Sequence, residues 1–350
     1  MYSGYAAPYS EPVLRGRKRT LVACLGVLTA TGIVAVGSSA AAPGAKPDRG
    51  AVVGYWTPDR VAHAVPREVS PKNFHPQAGK PPGGGGGGTT GAAWSGGGAV
   101  KQRTGKVLFT MAGVDYVCSG TAATDSSSTR SLVLTAGHCV YDETNHAFAT
   151  NWMFVPDYED GGAIVTNPNG THSFTCDTTP YGCWTATSLV TTTAWANGGA
   201  SLAGFNDDYA FAVVGGGGKT GQSNQLDATV GSTPVAYNQG HPTQVYSFGY
   251  PQASPYDGQK LIYCSGNDIA DTWGGTTDFG LNCNMTGGSS GGPWYVGFGS
   301  GGSQGSLNSV NSFKYTAGKF AKYMFGPYFD AYTQRTYNAA QSASGNTLVP

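Results

Sequence analysis

Three short stretches of the sequence carry residue types that could act together in catalysis, and the first contains a histidine. Residues 135–139 have the sequence TAGHC and follow the apolar run 132–134. A histidine here could be a structural residue, a metal ligand or a general base, because the imidazole ring titrates near neutral pH and also binds metals. The role of His138 therefore depends on the partners that the rest of the chain supplies.

The second stretch places a serine among glycines. Residues 285–294 have the sequence MTGGSSGGPW, in a chain whose 55 glycines make Gly/Ser turns common. This cluster is more constrained than a random one, since it fits a tight turn that exposes the Ser290 hydroxyl. It also leaves the backbone N–H groups of Gly288 and Ser290 unobstructed. Such paired donors can stabilise a developing oxyanion, each lowering the barrier by roughly 3–4 kcal/mol.

The third stretch is an acidic pair in front of a strand, FNDDYAFAVV at 205–214. Two solvated turn carboxylates are one interpretation, and a carboxylate that orients a histidine is the other. Asp208 adjoins the apolar strand 209–214 and is expected to be partly buried, whereas Asp207 lies one residue further into the loop. Asp208 is therefore the favoured partner for a histidine.

Together these residues have the chain order His138, Asp208, Ser290. A serine hydroxyl needs a base to become a nucleophile, and the base needs an acceptor that fixes its tautomer and stabilises its cation. The three residue types therefore predict acyl transfer. Residues 288–292 also fit the G-x-S-x-G motif of α/β-hydrolases, but that class requires its acid and histidine after the serine. The last histidine of this chain is His241.

Short strands must position these residues. From Gly105 onward, runs rich in Val, Tyr, Phe and Thr alternate with Gly, Asn, Asp, Pro and Ser, without amphipathic helices between them. This pattern predicts an all-β sandwich or barrel. Only residues 326–343 have apolar residues at helical spacing, which predicts a C-terminal helix.

The histidine and serine motifs, with DYAF at 208–211 and CSGT at 118–121, resemble those of secreted bacterial trypsin-like serine peptidases, in particular the glutamyl-endopeptidase-like group. The resemblance covers about residues 104–335. It implies the chymotrypsin fold, with two six-stranded antiparallel barrels at about 103–215 and 230–343 and the active site between them. His138 and Asp208 would come from the first barrel and Ser290 from the second.

The resemblance also implies a serine endopeptidase in which Ser290 attacks, His138 moves the proton, Asp208 orients His138, and the N–H groups of Gly288 and Ser290 hold the oxyanion. A catalytically silent relative that binds peptides is the alternative. No cofactor or metal is expected. Ser289 stands where many members have an aspartate, so activation by an ion pair with a new N-terminal amine is not expected.

The family's substrate pocket is lined by residues before the nucleophile and by a later strand. The matching positions are Asn284, Met285, Ser309, Asn311 and Ser312. Position 284 holds no acid to attract Arg or Lys, and no histidine follows His241 to attract Glu. A polar, neutral pocket is therefore expected.

The N-terminal region precedes the predicted peptidase domain, 103–343. A basic stretch at 15–19, an apolar run at 20–37 and small residues after it predict a secretory signal peptide over residues 1–41. A membrane anchor is the alternative for the apolar run. Residues 42–102 are rich in Pro and Gly, with six consecutive glycines, and are expected to be a flexible linker or a pro-segment.

Removal of Cys24 with the signal peptide leaves six cysteines in an oxidising compartment, which permit fifteen pairings. The resemblance implies a Cys118–Cys139 disulfide, and Cys176–Cys183 and Cys264–Cys283 are predicted as the other two. Zinc-site spacings such as C-x-x-C and H-E-x-x-H are absent. The net charge of zero gives no general attraction to nucleic acid or anionic membranes. The expected protein is extracellular, monomeric and not stably bound to membranes once the signal is removed, with proteins or peptides as substrates.

Overall fold

The computed structural model describes residues 48–71, 88–160, 173–299 and 305–350, which belong to one unit of the chain, Gly44–Pro350. The predicted signal peptide, 1–41, lies outside the described residues. Among the described helices, none is long and apolar enough to span a membrane.

The described residues are mostly strand, as the sequence predicted. The strands up to residue 214 are β1 (Val65–Pro66), β2 (Ala92–Ala93), β3 (Thr104–Met111), β4 (Val114–Ala123), β5 (Ser131–Thr135), β6 (Tyr141–Asp142), β7 (Ala147–Phe148), β8 (Thr150–Pro156), β9 (Trp184–Thr192) and β10 (Ala210–Val214). The later strands are β11 (Gln244–Gly249), β12 (Ile262–Asn267), β13 (Ile269–Ala270), β14 (Phe279–Asn282), β15 (Pro293–Val296), β16 (Ser306–Val310), β17 (Tyr323–Gly326) and β18 (Thr347–Val349).

The helices are short apart from the last. They are α1 (Arg49–Tyr55), α2 (Pro58–His63), α3 (Gly98–Arg103), α4 (Thr193–Gly198), α5 (Leu202–Phe205), α6 (Leu226–Val230) and α7 (Ala331–Ser342), with 3₁₀ turns at Gly137–Cys139, Tyr158–Asp160 and Cys176–Thr178.

Six strands form a closed antiparallel barrel in the order β4-β3-β8-β9-β10-β5, with β5 paired back to β4. Every residue of β5 and β10 is buried, which explains why apolar residues follow one another in both strands instead of alternating with polar ones. Ala210 at the start of β10 lies opposite Thr135 at the end of β5. This register brings the residues that follow β5 next to those that precede β10.

The second half contains a five-stranded sheet, β16-β15-β11-β12-β2, and a three-stranded sheet, β13-β14-β17. β13 continues the path of β12, and a bridge between Phe313 and Phe325 links the end of β16 to β17. Pro293 at the start of β15 lies opposite Val310 at the end of β16. The residues before β15 therefore meet those after β16. The all-β fold class predicted from the sequence is confirmed, with a closed six-stranded barrel in the first half and the two sheets named above in the second.

The C-terminal helix is also confirmed as α7, which begins with a capping box between Asp330 and Thr333. Although the sequence grouped it with the second barrel, the helix packs on the first. The ring centroids of Tyr337 and Phe211 lie 5.5 Å apart in an edge-to-face arrangement. The Tyr337 hydroxyl donates to the carbonyl of Thr124 at 2.7 Å. β18 then pairs with β9 in parallel.

Residues 48–71, here called the N-terminal arm, differ from the flexible linker that the Pro/Gly-rich composition of 42–102 suggested. The arm forms α1, α2 and β1, and it buries Val52, Trp56 and Val61 in the main core. Further along, β2 pairs with β12. The apolar side chains between the prolines and glycines are sufficient to fold these parts of the segment.

Candidate active site

His138 lies in the 3₁₀ turn that follows β5 and is fully buried. The next residue, Cys139, forms a disulfide with Cys118 of β4, as expected from the sequence, and its carbonyl accepts a hydrogen bond from Trp152 Nε1 at 3.2 Å. Neighbouring strands and a covalent link therefore hold the turn in place.

Asp208 precedes β10 and meets His138 as the register requires. Its Oδ2 accepts from His138 Nδ1 at 2.8 Å, and its Oδ1 accepts from the His138 backbone N–H at 2.8 Å. Ser312, which follows β16, donates its hydroxyl to Oδ2 at 2.5 Å. Because an ionised carboxylate only accepts, Nδ1 donates a proton in this contact, and in a neutral imidazole the buried Nε2 would then hold the lone pair.

Ser290 lies in the turn before β15, where it is almost buried. Its carbonyl accepts from Ser119 N at 2.7 Å, which ties the turn to the first barrel. A side chain on Gly291, at φ +76°, would come within 2.1 Å of Thr135 Oγ1, so this turn packs directly against the end of β5. The structure thus joins His138 to Asp208 and brings Ser290 beside the strand that leads to His138. Among the described residues, His138 Nε2 makes no hydrogen bond.

The two backbone groups predicted to hold an oxyanion, the N–H groups of Gly288 and Ser290, donate to no group among the described residues. Ser119 Oγ donates to the Gly288 carbonyl at 2.9 Å and so orients the peptide group that follows it. Gly288 has φ +97°, and a Cβ there would lie 2.9 Å from Gln252 N and Tyr250 O. Only glycine fits this position.

Ser289 occupies the position where many relatives have an aspartate. Its hydroxyl donates to the carbonyl of Thr286 at 2.7 Å, within the same turn. This contact stabilises the turn without a charged partner.

A cavity of about 260 Å³ adjoins Ser290. Of the five residues predicted to line the substrate pocket, Met285 and Ser312 do so. The other three point elsewhere: Asn284 accepts from the Tyr256 hydroxyl, Ser309 donates to the carbonyl of Pro327, and Asn311 bonds Ser247, Trp294, Phe248 and Ser289. The Asn311 side chain therefore stabilises the serine turn through its hydrogen bond to the Ser289 carbonyl.

Sequence reasoning missed Lys314, which also lines this cavity. Its Nζ donates to the carbonyl of Cys283 at 2.8 Å, and burial lowers the pKa of its ammonium group. The cavity lining therefore includes a cationic side chain that the sequence analysis did not expect, together with the carboxylate of Glu68. The only signal was proximity, because Lys314 directly follows the segment 306–313 that the sequence assigned to the pocket.

The N-terminal arm also reaches this cavity, through Glu68, Val69 and Ser70. Glu68 Oε1 accepts from the backbone N–H of Gly287 at 3.0 Å. Gly287 directly precedes Gly288, so the arm contacts the serine turn next to the predicted oxyanion donors. Nothing in the sequence indicated this contact.

The remaining predicted disulfides, Cys176–Cys183 and Cys264–Cys283, are both present. The latter connects β12 to the residue after β14. Cys118, His138 and Cys139 place possible ligand atoms within 4.8 Å of one another. Since the two sulfurs are bonded to each other, this set offers no thiolate to a metal.

Neither a family model nor a curated protein matches the sequence. Two solved bacterial proteases do match the structure. Protease Anisep from Arthrobacter nicotinovorans is 38% identical, with 73% of this chain covering all of that chain at a TM-score of 0.57. The thermostable serine protease AL20 from an extremophilic microorganism is 37% identical, with 70% of this chain covering 99% of that chain at a TM-score of 0.56.

A Glu endopeptidase structure shares the fold at 17% identity and a TM-score of 0.51, with 73% of this chain covering 98% of it. The two closer likenesses exceed a third in identity and span nearly the whole of each solved chain, which supports a peptidase function. The chain belongs to the trypsin-like serine proteases of the chymotrypsin fold.

Proposed function

We propose that this protein is a secreted serine endopeptidase that cleaves peptide bonds through an acyl-enzyme intermediate. One observation carries the proposal: Asp208 holds His138 by its Nδ1 and by its backbone N–H, so that Nε2 is left free to take a proton. A merely structural buried histidine would be expected to satisfy both ring nitrogens.

In the proposed reaction, Ser290 Oγ attacks the peptide carbonyl carbon while His138 Nε2 takes the hydroxyl proton. The N–H groups of Gly288 and Ser290 donate to the resulting oxyanion. The intermediate then expels the amine, which receives the proton from His138, and an acyl-Ser290 ester remains. Water, deprotonated by His138, attacks this ester and releases the acid, which restores the serine hydroxyl.

Lys314 gives a direction for substrate preference. A side chain that enters the cavity beside Ser290 meets the Lys314 ammonium as well as Met285 and Phe313. Among the described residues no ion pair neutralises this lysine, and its hydrogen bonds go to the backbone carbonyls of Cys283 and Met285. We expect the cavity to favour acidic over basic side chains.

We also propose that the protein is secreted and monomeric. Its substrates would be proteins or peptides, and it would need no cofactor. The three disulfides support an oxidising compartment. Expression in a bacterial host that secretes proteins, followed by N-terminal sequencing of protein from the medium, tests this part. Retention of the intact chain in the cells would contradict secretion.

The test of the reaction is prolonged exposure of the folded chain to a small fluorophosphonate, with the modified residue identified by mass spectrometry. We expect labelling at Ser290. The variant Ser290→Ala should not be labelled, whereas Ser289→Ala, which removes the neighbouring hydroxyl, should still be labelled. If Ser290 stays unmodified however long the exposure, the chain is a catalytically silent binding protein.

A further inference from the structure

The N-terminal arm lies along the first barrel, and its last residues reach the candidate active site. Its strand β1 pairs in parallel with β4, with Val65 opposite Tyr116 and Pro66 opposite Val117. The next residues, 68–70, line the same cavity as Ser290. The arm is therefore led by strand pairing to the place where a substrate would have to bind.

The first part of the arm is fixed to the first barrel by packing and by polar contacts. Trp56 is 3% exposed, and its Nε1 donates to the carbonyl of Asn151 at 2.6 Å. Closer to the cavity, Arg67 Nη2 pairs with Glu143 Oε2 at 2.7 Å, and the two side chains are only 12% and 10% exposed. Buried apolar surface and a largely shielded ion pair together hold the arm in register.

The end of the arm is fixed to the serine turn itself. Glu68 accepts from Gly287 N, and a charged acceptor makes this hydrogen bond stronger than a neutral one. Gln252 adds a second link, because its Nε2 donates to the carbonyl of Ala64 at 2.7 Å while its backbone N–H donates to the carbonyl of Gly287 at 2.7 Å. The arm and the turn are thus linked directly through Glu68 and indirectly through Gln252.

We infer that the N-terminal arm, residues 48–71, is an intramolecular inhibitor whose end occupies the substrate cleft beside Ser290, so that a peptide enters only after the arm has left or been removed. The inference rests on the proposed function, and it identifies the arm as a pro-segment. A substrate must place its carbonyl at the N–H groups of Gly288 and Ser290, and the arm binds the adjoining N–H group of Gly287.

The likeness to a solved protease supports this inference. Since 73% of this chain covers the whole of protease Anisep, 27% of this chain (100 − 73) has no counterpart there. That share of 350 residues is long enough to include both the predicted signal peptide and the arm. As part of the same chain, the arm also has a high effective concentration at the cleft, which a separate peptide would lack.

The experiment measures the rate of fluorophosphonate labelling of Ser290 in the full chain and in Glu68→Ala. Because this charge-assisted hydrogen bond is exposed to solvent, its loss should raise the labelling rate roughly two- to fivefold. The matched control is Glu159→Ala, because Glu159 also accepts a backbone hydrogen bond, from Leu261 N at 2.9 Å, but lies away from the cavity. This control should be labelled at the wild-type rate.

A second variant and a second readout separate the possible outcomes. Trp56→Ala, which loosens the arm far from Ser290, should also speed labelling, and hydrogen exchange at Gly287 N–H should accelerate in both arm variants. Wild-type labelling rates in Glu68→Ala and Trp56→Ala, with faster exchange at Gly287, would overturn the inference while leaving the proposed function intact. An absence of labelling in every form would overturn the proposed function and the inference with it.

Discussion

The two halves of the candidate active site use the same strand geometry but stabilise it differently. In the first barrel, His138 and Asp208 flank the paired ends of β5 and β10. In the second half, Ser290 and Ser312 flank the paired ends of β15 and β16. Each half therefore brings two distant segments together through the register of one antiparallel pair.

The difference lies in what holds each pair. The histidine side relies on side chains: a buried carboxylate with three hydrogen bonds and the Cys118–Cys139 disulfide. The serine side relies on the backbone, with Gly288 and Gly291 at positive φ and the amide of Asn311 beneath the turn. We expect the first side to be sensitive to charge and tautomer, and the second to the volume of added side chains.

The largest effect should come from Asp208→Asn, which tests the histidine side. An amide can donate to Nδ1 and so stabilise the wrong imidazole tautomer, and we expect kcat for a peptide substrate to fall by about 10⁴-fold. Asp207→Asn is the control, since Asp207 does not contact His138. Burial, with a smaller effect of Asp330, raises the pKa of Asp207 to about 6, so this control should be measured above pH 7. An equal loss in both variants would contradict the assignment of Asp208.

Gly288→Ala tests the serine side and should have the next largest effect. The new methyl group would lie 2.9 Å from Gln252 N and Tyr250 O, which forces the predicted oxyanion donors out of place. We expect kcat to fall about 10²- to 10³-fold. Gly297→Ala is the matched control: it also has positive φ, +64°, but a Cβ there meets no atom within 4 Å. If Gly297→Ala lost as much activity, general strain rather than local displacement would be the cause.

Ser119→Ala tests the connection between the two sides. Ser119 belongs to the first barrel, yet its hydroxyl donates to the Gly288 carbonyl and accepts from Tyr250 N at 2.9 Å. Its loss leaves the buried Gly288 carbonyl without this donor, at roughly 1–3 kcal/mol, and removes one acceptor from Tyr250 N. We expect about tenfold lower kcat together with a lower melting temperature. Unchanged kcat in a destabilised variant would show that the bond supports folding alone.

Lys314→Met should have a smaller effect, on preference rather than rate. Removal of the partly buried ammonium should lower kcat/KM for peptides with an acidic residue at the cleavage site by roughly fivefold relative to neutral ones. Cleavage of a peptide library measures both classes together. Lys260→Met serves as control because Lys260 pairs with Glu159 at 3.3 Å, outside the cavity. An unchanged ratio for Lys314→Met would remove the proposed preference.

Most of the fold and the motif residues could be predicted because each depends on local sequence. The apolar runs around 132–134 and 209–214 became β5 and β10, and the serine motif became a glycine turn. Pairing of Asp208 with His138 followed from residue chemistry, and the structure contains that hydrogen bond. Their catalytic roles stay predictions until the variants above are measured.

The arm and the pocket could not be predicted in the same way. Glu68 and Gly287 are 219 residues apart, and composition alone does not reveal which surface a Pro- and Gly-rich segment covers. The buried pair Val52 and Trp56 was a signal within that segment, but a weak one. Three of the pocket positions differ from the prediction because this side of the cavity is lined by residues 312–316, which follow the end of β16. Ser309 and Asn311 lie before them and form hydrogen bonds with other groups.

The smallest effect on activity should come from Asp278→Asn. Asp278 and Asp208 are both buried carboxylates, but their surroundings differ. Asp208 has three hydrogen-bond donors, whereas Asp278 is 1% exposed and no ion pair among the described residues involves it. Burial raises the pKa of Asp278 well above its usual range, and the nearby carboxylate of Asp271 raises it further. Between the unfolded and folded pKa values the folded state binds more protons, so the stability of the wild type falls as pH rises through that window.

Substitution by asparagine removes this ionisation and should leave stability less dependent on pH above about pH 4, the ordinary range of an aspartate. Near neutral pH we expect the variant to be more stable than the wild type by roughly 1–3 kcal/mol, from urea unfolding followed across pH 4 to 8. Asp59→Asn, at an exposed position of α2, is the control and should keep the pH dependence of stability that the wild type has. If the free energy of unfolding of Asp278→Asn depended on pH as strongly as that of the wild type, another buried group would have to cause the pH dependence.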